Sequence, residues 1–136
     1  ESHIQVSVIG EAPYRLAPTP AANVLRARGL PVLSVIAPSF GLLRVILGSR
    51  LAASRFDRAG LARDLSARTL VLHGAEDIVC PEQDGRDIAA ASGGRFVSIP
   101  DAGHNDLWTQ PESLAKCTQV VQEFIRARET SRQERP

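Results

Sequence analysis

Apolar and polar positions alternate over residues 4–10, the period-two pattern of a strand with one covered face. Pro13, Pro18 and Pro20 interrupt it and predict a loop. Thr19 before Pro20 reads as an N-cap followed by proline at the first helical position, giving a helix to about Arg28 that stops at Gly29. Residues 30–37 are apolar and admit a buried strand or a helix, while 42–53 place Leu43, Ile46 and Leu47 on one helical face. The run Thr69, Leu70, Val71, Leu72, His73, closed by Gly74, has the composition of a strand covered on both faces. A helix is predicted over 82–91, ended by Ser92, Gly93 and Gly94, and a strand over 95–99, closed by Pro100. A last helix opens at Pro111 and puts Leu114, Cys117, Val121, Phe124 and Ile125 on one apolar face. Residues 129–136 are polar and predict a frayed tail.

The order strand, helices, strand, helix, strand, helix predicts an α/β fold. Strands 68–73 and 95–99 should lie side by side and parallel, joined by the helix near 82–91 through a right-handed crossover. Ligands of such sheets sit at the carboxyl ends of the strands, so the loops after Ile9, His73 and Ile99 matter most. The 136 residues support one domain with one core, and 43% hydrophobic with 23% charged residues exclude global disorder. A net charge of +1 provides no general field for nucleic acid. No apolar run approaches a membrane span and no signal peptide opens the chain, so the expected home is cytoplasmic. The start at Glu1 and the absence of Met suggest a fragment or a processed product.

Two loops carry candidate chemistry. After the second strand come Gly74, Glu76, Asp77, Cys80 and Pro81; after the third come Asp101, Gly103, His104 and Asp106. Each sets a titratable side chain just past a strand end, beside a glycine that allows a tight turn. A carboxylate facing an imidazole holds the ring in one tautomer and stabilises the imidazolium formed when the ring takes a proton from a nucleophile. The plain alternatives stand beside this reading: Asp77 as a turn carboxylate, His104 as a surface-loop histidine, and His73 as a side chain packed at a strand end. Trp108 suits a pocket lining or burial against the last helix, and Arg126, Arg128, Arg132 and Arg135 suit a solvated tail. Cys80 and Cys117 lack a disulfide or zinc pattern, and His3, His73 and His104 lack a usable ligand spacing, so no metal and no cofactor are expected.

Gly74-x-x-Asp77-x-x-x-Pro81, followed by a helix, a strand and Ile99-Pro100-x-Ala102-Gly103-His104, resembles the acid and histidine loops of the α/β-hydrolase superfamily. Asp77 and His104 are 27 positions apart, the interval one helix and one strand require. The resemblance covers the second half of the chain and implies Asp77 as the acid and His104 as the general base of a nucleophile–acid–histidine triad. It further implies a partial α/β-hydrolase domain over 1–128, with a cap-like helical region at about 17–60 and a polar tail at 129–136. The superfamily's Gly-x-Ser-x-Gly elbow does not occur. Ser39, flanked by Ala37 and Gly41, is a degenerate candidate, but only 30 residues separate it from the acid's strand, too few for the connections the family places there. The implied activity is hydrolysis of a small-molecule ester, thioester or amide, with the nucleophile in a missing N-terminal half or on another chain. The rival is a non-catalytic, truncated module that binds a protein partner or self-associates.

Overall fold

The structure, a computed structural model, describes residues 6–32, 57–65 and 67–133, the last six of these as backbone. The elements are β1 (Ser7–Glu11), α1 (Pro18–Ala27), α2 (Arg58–Ala62), β2 (Arg68–Gly74), α3 (Glu82–Ala91), β3 (Arg95–Ile99) and α4 (Pro111–Gln133). The strands form a three-stranded parallel sheet in the order β1-β2-β3, with Ile9 opposite Leu70 and His73 opposite Ser98. This is a parallel α/β sheet with helical crossovers, and β2 and β3 are adjacent and parallel as the two apolar runs predict.

The central strand β2 is buried along its length from Thr69 to Gly74, because helices cover both of its faces. Leu70 and Leu72 point to one side and pack with Ile99, Ala102, Leu107, Cys117, Val120 and Phe124. Val71 points to the other and packs with Ala59, Ala62, Ile88 and Ala89. The period-two alternation of a strand thus feeds two cores, α4 against one face and α2 with α3 against the other.

Several element ends differ from the sequence expectation. Helix α1 begins at Pro18, so Thr19 lies inside it and makes no cap; proline in the first turn fits because its missing N–H has no intrahelical use there. The helix stops at Ala27, and Gly29 just beyond it has a φ of +67° that lets the Leu30 N–H reach Leu25 O at 2.9 Å and the Gly29 N–H reach Arg26 O at 3.0 Å. In α4 the buried stripe is Ser113, Cys117, Val120 and Phe124, whereas Leu114 and Ile125 are exposed among the described residues. The backbone of α4 is helical to Gln133, into the segment expected as a polar tail.

The connection from β1 to β2 leaves and returns at one point. The Arg15 guanidinium binds both oxygens of Asp57, at 2.9 and 3.0 Å, and Asp87 at 2.9 Å, while the Arg15 N–H donates to Asp84 at 2.9 Å. The Arg58 N–H in turn donates to Arg15 O at 3.1 Å, and its guanidinium lies 3.6 Å over the Tyr14 ring. Residues 33–56 lie outside the described residues, and with them Ser39 and the helix expected at 42–53. Among the described residues no helix is long and apolar enough to cross a membrane.

Candidate active site

The chemistry gathers where β2 and β3 end. The Gly74 position is crowded: a Cβ there would sit 2.3 Å from Ala102 O and 2.8 Å from Gly103 O, so only glycine lets the loop after β2 pass so close to the loop after β3. The two loops are stitched by backbone bonds from Ala75 N–H to Ile99 O at 2.9 Å and from Glu76 N–H to Ala102 O at 3.0 Å. Asp101 takes a φ of +54°, the left-handed conformation Asp tolerates, and turns the second loop back. Asp106 then accepts the Gly103 N–H at 2.9 Å and holds the residue before His104.

Asp77 is aimed by its own turn. Its Oδ1 accepts the N–H groups of Val79 and Cys80, both at 2.8 Å, which leaves Oδ2 to face His104 Nδ1 at 2.9 Å. Three donors converge on one carboxyl group, an arrangement suited to the carboxylate, which accepts on both oxygens. With Nδ1–H donating to Asp77, the lone pair of the neutral ring is on Nε2. The Asp77 side chain is fully buried and the His104 side chain is 34% exposed, so the pair is dry at the acid and accessible at the base. The structure thus brings together the two residues the sequence singled out.

His73, expected to pack at a strand end, is fully buried and touches the acid as well. Its Nε2 lies 2.9 Å from Cys80 O and 3.4 Å from Asp77 Oδ2. A carbonyl oxygen only accepts, so Nε2 carries a proton, and the shorter contact, to Cys80 O, is the hydrogen bond. Among the described residues its buried Nδ1 has no hydrogen-bond partner. The ring fits because α3 has Gly85 above it: a Cβ at Gly85 would stand 2.6 Å from His73 Nδ1. The sequence signal was faint, a histidine four positions before Asp77 and a lone glycine inside a helix.

The surrounding charges are assigned by their contacts. Cys80 is buried, and burial, then the charges of Asp77 and Asp84, push its thiol up to about 11, so it is no ready nucleophile. Glu82 is held below the usual carboxylate range by the Ser98 hydroxyl and then Arg86. Trp108 is partly exposed, while its neighbour Leu107 fills the core.

No family model matches the chain. Over 63 residues the chain is 38% identical to BpoC of Mycobacterium tuberculosis, whose name places it among the non-heme bromoperoxidases; the match covers 46% of this chain and 24% of BpoC. A thermophilic esterase from Thermogutta terrifontis is 36% identical over 55% of this chain and 27% of its own, with a TM-score of 0.47. An α/β-hydrolase enzyme from the metagenome of sediments of the Mar Chica lagoon, Morocco, matches 90% of this chain and 63% of its own at 17% identity and a TM-score of 0.50, a likeness of fold. Part of this chain is thus similar in sequence to BpoC, and its fold is like that of an α/β-hydrolase enzyme. The chain spans about a quarter of the length of the curated relatives it matches.

Proposed function

We propose that this chain supplies the acid and the histidine of a hydrolase that cleaves an ester, thioester or amide through an acyl-enzyme. The carrying observation is the 2.9 Å contact from His104 Nδ1 to a buried Asp77 oxygen at the carboxyl ends of two parallel strands. Asp77 orients the ring; His104 Nε2 takes the proton from a nucleophile and later returns it to the leaving group. The nucleophile and the oxyanion donors come from sequence outside these residues or from another chain, since no Gly-x-Ser-x-Gly occurs here. The Arg15–Asp57 ion pair ties together the two ends of the connection between β1 and β2. The test is a chimera in which residues 68–127 replace the matching segment of an ester-cleaving relative. The chimera should turn over an activated ester, and His104→Ala should abolish turnover; a folded, active chimera indifferent to His104→Ala refutes the proposal. Residues 1–136 alone should neither turn over the ester nor react with a serine-directed covalent probe. Labelling at Ser39, lost on Ser39→Ala, would place the nucleophile in this chain.

One observation favours a second reading, a non-catalytic module that binds a protein partner. Strand β1 is an edge strand of the described sheet, and Ile9 on it is 43% exposed. Sizing by chromatography separates the readings: a discrete dimer lost on Ile9→Lys supports the module.

A further inference from the structure

The turn that aims Asp77 also brings a thiol to it. Cys80 donates its backbone N–H to Asp77 Oδ1 at 2.8 Å, and its side chain is buried in the same turn. One donor atom from each of Asp77, Cys80 and His104 lies within 4.8 Å of the other two. In a tetrahedral zinc site, with metal–sulfur bonds of about 2.3 Å and metal–nitrogen or metal–oxygen bonds of about 2.0–2.1 Å, donors stand about 3.3–3.7 Å apart. Adjustments of about an ångström therefore separate the trio from a ligand set. The histidine spacing in the sequence gave no sign of this, because the three donors are of three types.

We propose that Asp77, Cys80 and His104 form a binding site for a thiophilic divalent cation of the Zn2+ class, with the fourth position open to water. Charge favours it: one carboxylate and one thiolate neutralise a doubly charged ion, so the buried complex carries no net charge. Protons balance. The thiol loses its proton to solvent as the sulfur–metal bond forms. Neutral His104 binds through Nδ1 by moving its proton from Nδ1 to Nε2, so one proton leaves per ion. The one-third exposure of His104 provides the way in. The ion replaces the hydrogen bond between His104 and Asp77 and removes the free lone pair on Nε2. A bound cation would thus switch off the pair that the hydrolase reading needs, although the site itself stands whether or not that reading holds.

The experiment is a titration of the reduced chain with Cd2+, followed by the thiolate-to-cadmium charge-transfer absorbance, with Zn2+ as competitor. The expected result is one ion per chain, an absorbance that Zn2+ abolishes, and release of one proton. Cys117→Ser, which removes the other buried thiol, should leave all of this unchanged. Cys80→Ser should lose the band, and His104→Asn should keep it but bind about tenfold or more weakly. Absence of the band, its loss in Cys117→Ser, its persistence in Cys80→Ser, or indifference to His104→Asn would overturn the site. If circular dichroism shows that Cys80→Ser does not fold, nuclear magnetic resonance of the labelled wild-type chain decides. Cadmium coupling to a His104 ring nitrogen is expected, and its absence at saturation overturns the site. None of these readouts depends on turnover.

Discussion

Gly74→Ala tests how the two loops are held together. The new Cβ would stand 2.3 Å from Ala102 O, and real Cβ contacts essentially never fall below 3.0 Å. The obstacle is backbone and has no rotamer to change, so the loops must part by at least about 0.7 Å in a close-packed interior. Parting by that amount along the contact between Asp77 and His104 would lengthen it from 2.9 Å to about 3.6 Å, beyond hydrogen bonding. The Glu76 to Ala102 bond is strained by the same movement. Overpacking costs about 1–3 kcal/mol, and a weakened hydrogen bond about 1 kcal/mol. The expected loss is therefore about 2–4 kcal/mol, a large part of the roughly 5–15 kcal/mol that holds a domain together. Urea unfolding of both chains gives the number, provided the slopes agree. The Nδ1 proton of His104 in the nuclear magnetic resonance spectrum reports the geometry. A loss below about 0.5 kcal/mol with the Nδ1 proton unchanged would mean that the approach of the two loops does not depend on glycine.

Other substitutions probe the remaining supports. Gly85→Ala should gain about 1 kcal/mol of helix propensity and lose about 1–3 kcal/mol through its clash with His73, so the net effect in urea is destabilising; net stabilisation would show that the imidazole has room to move. Asp106→Ala removes the acceptor of the Gly103 N–H and should cost about 1 kcal/mol in the same assay, with faster amide exchange at Gly103; unchanged exchange would contradict its role. The Asp57 carboxyl is held low by Arg15, so the pair's contribution is present above the ordinary carboxylate range and is lost as pH falls through the lowered value. The stability gap between wild type and Asp57→Asn should therefore close in acid and shrink in high salt; a gap constant with pH would refute the ion pair's role.

What the sequence made legible was whatever repeats with a period or sits at a strand end. The apolar run from Leu70 to Leu72, the glycine that ends β2 and those that follow α3 were enough to place β2, α3 and β3. The loops bearing Asp77 and His104 followed from them, because parallel strands put their carboxyl ends together. The boundaries were less legible: Pro18 and Pro20 both suit a helix start, and local pattern does not choose between them. The apolar face of α4 was overestimated because periodicity reports the helix and not what packs against it. Contacts between distant segments were illegible, since nothing local pairs Arg15 with Asp87 or His73 with Gly85. His73 shows the cost of that limit: as a strand residue it reads as packing, and only the fold reveals that it bonds the turn holding Asp77.

The pairing of Asp77 with His104 depends most on the state of one ring. Selective 15N labelling of histidine, read by nuclear magnetic resonance at a pH where His104 is neutral, reports which nitrogen holds the proton and whether it is shared with a carboxylate. The prediction is Nδ1–H on His104, shifted downfield by Asp77, with Nε2 bare; Asp77→Asn should abolish the shift and let the tautomers mix. A His104 ring protonated on Nε2 in the wild-type chain, or one unaffected by Asp77→Asn, would contradict the assignment of Asp77 and His104 as an acid–base pair.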